Sequence, residues 1–170
     1  GLGMELTVQG GRRDLHSGSF GGAVHNPLQV LCEIIAALHD EAGRIAVPGI
    51  YQKVRPVSAA ERRQIAQVAP TDERILHDAG VAKGWGERGF SAFERTTLRP
   101  ALTINGITGG YQGIGTKTVI PSVASVKITC RLVPGQDPAK VIKAVEAFIH
   151  DTAPEGCKVA RAAFARSNTG

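Results

Sequence analysis

No stretch of this chain is both long and apolar enough to cross a membrane. The richest run, Pro27 to Leu38, is interrupted by Gln29 and Glu33. A basic segment leading into an apolar run is also missing, so no signal peptide is visible. The three cysteines, Cys32, Cys130 and Cys157, are odd in number and far apart. That spacing excludes a CxxC metal knuckle and points to reduced, buried thiols in a cytoplasmic protein. Internal repeats and low-complexity tracts are absent. So are H-x-D, HExxH and paired-carboxylate patterns. Three of the five histidines precede an aspartate (His39-Asp40, His77-Asp78, His150-Asp151). Adjacent helical residues point in different directions, so these pairs are not ready-made chelates.

What remains is ordinary soluble-protein material. The 170 residues are 42% hydrophobic and 21% charged, enough for one domain with a sizeable core. Lysine and arginine exceed aspartate and glutamate by 20 − 15 = 5. The positive residues are dispersed, which fits a solvated surface better than a nucleic-acid footprint. The chain opens on Gly1 and its single methionine, Met4, already sits inside a strand-like run. It is therefore expected to be a piece of a longer polypeptide, so a missing targeting segment says little about location.

Met4 to Gln9 sets Leu6 and Val8 against Glu5, Thr7 and Gln9, a period of two that predicts a half-buried strand. Arg12 to His25 reads as a polar, glycine-rich loop. Asn26 then caps a helix with Pro27 at its first position; Leu28, Leu31, Ile34, Ile35 and Leu38 share one face, and Gly43 marks the stop. From Ile45 to Thr96 the character changes. Ser58 and Thr71 each precede a short amphipathic stretch, and Gly84, Trp85, Gly86 and Gly89 form an irregular connector. This region is expected to be an insertion at about 45–96 rather than a second domain. Strand alternation returns over Leu98–Ile107 and again over Val123–Val133, where Val126, Ile128, Cys130 and Leu132 face one side. Asp137 caps a helix starting at Pro138, and Lys158–Phe164 is the last strand candidate.

Without the insertion the order is strand, helix, strand, strand, helix, strand. That order predicts an α+β fold: a two-layer split βαβ (ferredoxin-like) sandwich, with a four-stranded antiparallel sheet and two helices on one face. Such a sheet has an open face and exposed edges, which invite pairing with a second copy.

Two loops carry the chemistry. In Arg13-Asp14-Leu15-His16-Ser17-Gly18 the glycines let His16 be presented to solvent or a partner, and Asp14 is near enough in sequence to orient or charge the imidazole. Taken alone, His16 also fits a surface histidine in a flexible turn. In Gly110 to Pro121 the G-x4-G spacing imitates a phosphate loop. Thr116 intervenes before the lysine and a strand follows, so a nucleotide site fails on both counts.

Together the runs RDLHSGSFGG…NP, GIGTKTVIP and Arg131-Leu132-Val133-Pro134, with the opening GLGMELTVQG, resemble the dimerisation (lid) domain of carnosine-dipeptidase-like zinc metallopeptidases and their bacterial relatives. That family also includes succinyl-diaminopimelate desuccinylase and aminoacylase. The resemblance covers nearly the whole chain in order. It implies a cytoplasmic, bacterial-type parent enzyme that hydrolyses a dipeptide-type amide bond with two zinc ions. Its ligands and general base would lie outside residues 1–170, leaving this piece with no metal and no activity alone. It further implies a homodimer paired through the lid, with His16 crossing into the partner's active site to stabilise the oxyanion. Thr118 would contact substrate across the same interface. Arg131 would bind the terminal carboxylate of a peptide substrate by a bidentate fork. Its side chain is expected to point outward, because Cys130 and Leu132 point in, towards where the catalytic domain of the same polypeptide would sit. Asn26, Pro27 and Asn105 also match the pattern and are expected to be structural; His25, His39, His77 and His150 are expected at the surface.

Two other classes use this kind of sheet. A small-molecule regulatory module would show specific binding by the isolated domain. An RNA-binding module needs aromatics exposed on the central strands, and KITCRL offers none, so no nucleic-acid partner is expected.

Overall fold

Alternation along the first strand decides the layering. The computed structural model describes residues 1–166, the side chains of 161–166 excepted. Strand β1 (Leu2–Gln9) buries Leu2, Met4, Leu6 and Val8 and leaves the intervening residues partly open. Next come β2 (Leu15–His16), α1 (Ser17–Phe20), α2 (Pro27–Ala37), α3 (Ala59–Val68), α4 (Asp72–Ala79) and α5 (Ala92–Thr97). The chain continues through β3 (Ala101–Gly109), β4 (Val119–Ile120), β5 (Val123–Arg131), α6 (Pro138–Thr152) and β6 (Lys158–Arg166).

The main sheet runs β3-β5-β1-β6 with every neighbour antiparallel. This is the split βαβ order predicted above. Strands β2 and β4 form a separate two-stranded ribbon. In β5 the buried set Ala124, Val126, Ile128 and Cys130 alternates with open Val123, Lys127, Thr129 and Arg131. Val30, Leu31 and Ile34 of α2 and Val141, Val145 and Ile149 of α6 complete the core against this face. Each such fully buried aliphatic side chain contributes about 1.5–3 kcal/mol of burial.

Helix starts follow the sequence closely. Asn26 and Asp137 cap α2 and α6 with proline in the first turn, and their side chains accept from Leu28 and Ala139 amides. Ser58 and Thr71 cap α3 and α4. Besides the short elements β2, α1 and β4 in segments expected to be loops, three features depart from expectation. Helix α2 ends at Ala37, before Gly43, because His39 bridges to Ile45 and Asp40 accepts the Ala42 and Arg44 amides in a tight turn. His39 is half-buried against the Trp85 ring rather than at the surface, and burial lowers its pKa. Helix α5 was not anticipated, although Ser91 and Glu94 form a capping box at its start.

Candidate functional site

The loop after β1 and the loop before β5 are stitched together at one end of the sheet. The Gly10 amide donates to the Ser122 carbonyl at 2.9 Å, and the Ser17 amide donates to the Thr118 carbonyl at 3.2 Å. Between these points β2 pairs with β4, placing Leu15 opposite Ile120 and His16 opposite Val119. Asp14 completes the clamp, since its Oδ1 accepts the Ser122 amide at 2.8 Å and the Ser122 hydroxyl at 3.0 Å. The amide bond to Ser122, then the hydroxyl bond, hold its carboxyl below the usual value. Asp14 therefore joins the loops and does not touch the imidazole, contrary to the orienting role its sequence position suggested.

His16 is the N-cap of the single-turn helix α1, and its Nδ1 accepts the Gly18 amide at 3.0 Å. Only an unprotonated ring nitrogen accepts, so the neutral imidazole carries its hydrogen on Nε2. That nitrogen lies 3.0 Å from the Thr118 hydroxyl. Both side chains are exposed. On that tautomer Nε2–H donates to the Thr118 hydroxyl oxygen, and the exposed pair sits on loops whose backbones are tied to each other. A carbonyl oxygen or an oxyanion supplied from outside could take that hydrogen in place of Thr118. Phe20 and Val24 on one loop and Tyr111 and Ile114 on the other are also exposed.

Arg131 lies at the opposite end of β5. Its side chain is exposed, as its place in the strand alternation predicted, and Nη1 donates to the Thr96 carbonyl at 3.1 Å. It borders a cavity of about 680 Å³ that Trp85, Arg95 and Thr96 also line. The structure thus brings His16 and Thr118 together and keeps Arg131 apart from them. Sequence reasoning missed the Asp14 clamp, since its partner is remote in the chain, and missed the two short strands, which are too brief for a period to show.

Among the described residues no three His, Cys, Asp or Glu side chains gather as a metal site. The described residues offer no ligand set for the zinc pair that the resemblance implies. All three cysteines are free of disulfides, but contrary to expectation Cys32 is exposed and Cys157 only partly buried; burial pushes the Cys130 thiol up to about 11.

The chain belongs to the peptidase dimerisation domain family, which matches residues 2–157. Among its relatives, the human beta-Ala-His dipeptidase is 34% identical over 139 residues, covering 82% of this chain and 27% of that protein. The Cys-Gly metallodipeptidase of Schizosaccharomyces pombe is 32% identical over 157 residues, covering 86% of this chain and 31% of its own length. The chain therefore spans under a third of these relatives. Human carnosine dipeptidase 1 superposes with a TM-score of 0.82 at 30% identity, over 95% of this chain and 35% of that one. An M20 family metallo-carboxypeptidase from Sulfolobus solfataricus gives 0.77 at 30% identity, over 94% and 41%.

Proposed function

We propose that this chain is the lid of a homodimeric, zinc-dependent dipeptidase and that it delivers His16 to the active site of the partner subunit. The observation that carries the reading is the exposed His16 Nε2–Thr118 Oγ1 pair. A donor of fixed tautomer on a braced loop, with no cluster of metal-ligating side chains among the described residues, is suited to act on a substrate held elsewhere. The reacting carbonyl would take the Nε2 hydrogen as its oxygen gains charge, and Thr118 would contact the substrate beside it. Losing one such donor costs about 10²–10³ in rate.

Pairing through the lid is supported by two features. β3 is an edge of the sheet and carries half-exposed Ile107. The exposed Phe20, Val24, Tyr111 and Ile114 add apolar surface on the His16 and Thr118 loops, of the sort that marks association. Arg131, which meets no carboxylate among the described residues, would take the terminal carboxylate of the peptide in the active site of its own polypeptide. Residues 1–170 would form a single lid, with 45–96 inserted in it and the zinc-binding catalytic domain lying outside. Three unpaired thiols support a cytoplasmic location.

Complementation in the full-length polypeptide tests delivery in trans. One subunit would carry His16→Ala and the other a substitution that inactivates its catalytic half. Differently tagged subunits would be coexpressed and the mixed dimer purified. Delivery in trans leaves one working site of the two, because the intact His16 reaches the intact catalytic half. Delivery within one chain leaves none, and an inactive mixed dimer of normal assembly would sink the reading.

A further inference from the structure

The segment between α2 and β3 is held by a buried charge network that ends at Arg131. Glu87 is nearly inaccessible, and its carboxylate takes Arg99 through two hydrogen bonds of 2.7 and 2.8 Å, with Arg44 at 3.7 Å. The Glu87 backbone carbonyl accepts Arg95 Nε at 2.9 Å, and Arg95 Nη1 reaches the Trp85 carbonyl at 3.3 Å. Arg95 belongs to α5, so these bonds fix the helix against the turn that carries Glu87. On the other flank Glu94, also buried, pairs with Arg62 of α3 at 3.1 Å. The start of α5 is tied to α4 through the Ala92 amide and Asp72 Oδ1 at 2.8 Å. The Glu87 turn is itself seated on the α2 exit. The Arg88 amide donates to the Ala42 carbonyl, and Gly43 lies so close to Gly86 that a Cβ there would come within 2.5 Å of the Gly86 oxygen.

Helix α5 ends at Thr97, and the last carbonyls of a helix have no partner within it. One of them, at Thr96, receives Arg131 Nη1 at 3.1 Å. The kind of partner matters. Arg44, Arg55, Arg62, Arg74 and Arg99 each meet a carboxylate. Among the described residues Arg131 meets none, and its one hydrogen bond goes to a neutral carbonyl. A carbonyl at the negative end of a helix orients a cation without neutralising it. The guanidinium has five N–H donors in a rigid fork, so most remain free for an incoming carboxylate.

We propose that the segment from Ile45 to Arg99 is the positioning device of the substrate-carboxylate site: Glu87 sets where α5 lies, and α5 aims Arg131 through the Thr96 carbonyl. Glu87 is then a positioning residue that touches no substrate: its carboxylate anchors the turn to Arg99, and the turn so anchored offers the Glu87 carbonyl to Arg95 of α5. This rests on the reading of Arg131 as the carboxylate receptor.

The test uses the full-length enzyme with a pair of dipeptides that differ only in a free or an amidated C-terminus. Arg131→Ala is expected to raise KM for the free acid and leave the amide unchanged. Glu87→Gln is expected to do the same by about tenfold, with kcat within about twofold, since it misplaces a ground-state contact. The double variant is expected to be no worse than Arg131→Ala alone. Where Glu87→Gln does not fold, Arg95→Ala releases α5 without stranding a buried charge and is expected to give the same split. If Arg131→Ala discriminates and neither other variant does, or if their effects add, the positioning device is overturned and the receptor reading stands. If Arg131→Ala fails to discriminate, both fall.

Discussion

Asp14 reaches across 108 positions of sequence to take both the amide and the hydroxyl of Ser122 on a single oxygen. The sheet pairing brings the two loops near each other, and this contact joins the segment before His16 to the one after Thr118. Removing it by Asp14→Ala is expected to leave the core intact and loosen both loops. Hydrogen exchange should speed up at the Ser122 amide while Val126 and Ile128 stay protected. Unchanged Ser122 exchange would show that the β2–β4 ribbon suffices.

The same contact sets an acid limit. Asp14 has a folded pKa depressed below 3.8, chiefly by the Ser122 amide and then by its hydroxyl. Its contribution is therefore complete above 3.8 and is lost as pH falls through the lower, folded value. Following the Ser122 amide by NMR should show a single acid transition below 3.8, and Asp14→Asn should abolish it.

Gly18 makes room for the imidazole. A Cβ on Gly18 would stand 2.8 Å from His16 Cε1 and 3.0 Å from Nδ1. Gly18→Ala is thus expected to swing the ring off Thr118 without much effect on stability, the site being exposed. In the full-length enzyme kcat should drop by about 10–10²-fold, approaching the loss of the donor itself. Activity within twofold of the unaltered enzyme would mean that Gly18 does not place the ring.

Helix α3 carries a second pH marker. Glu61 closes the capping box with Ser58 and also meets Arg55; the Ser58 amide, then Arg55, hold its carboxyl down to about 2. A depressed carboxylate stabilises above its ordinary 4.5 and is lost as pH falls from there towards 2. The start of α3 should fray over that window, read from the amide shift of Ser58. Ser58→Ala removes the reciprocal hydroxyl bond but keeps the Ser58 amide and Arg55 bonds. It should raise the midpoint only partway, and full return to 4.5 would mean the box acts as one unit.

Two isoleucines separate folding from assembly. Ile34 is fully buried in the core, and Ile34→Ala should cost about 2–5 kcal/mol in denaturant unfolding. Ile107 is half exposed on the edge strand β3, and Ile107→Ala should change domain stability by about 0.5 kcal/mol or less. Ile107→Glu should instead shift the full-length protein towards monomer in sedimentation. A dimer that persists with glutamate there would place the association surface elsewhere.

The framework was legible because its signals are local. Asn26-Pro27, Ser58, Thr71 and Asp137-Pro138 announce helix starts through chemistry within a turn, and β1 and β5 show their buried face every second residue. His16 and Thr118 were picked out by resemblance, and nothing in either run alone says that Nε2 meets Oγ1. The clamp at Asp14 and the Glu87–Arg99 pair were illegible for one physical reason. Charged residues in loops read as solvated surface until the fold supplies their partners, and both partners come from beyond the local turn. Helix α5 was different, since Ser91 and Glu94 announced it and the surrounding glycines drew attention away.

β5 runs from the end that holds the His16 loop to the end that bears Arg131, eight steps apart at about 3.3 Å each, so about 26 Å. Under the roles proposed for His16 and Arg131, it would work as a ruler between two points of substrate contact. Its length would then be under a constraint beyond the one its register in the core imposes. Two residues added to β5 would preserve its inward and outward alternation while shifting its register against β1 and β3. They would also carry Arg131 about 7 Å away from its register with the opposite end. On those roles, substitutions along β5 would leave the spacing of its ends unchanged, whereas a change in the number of its residues would alter it.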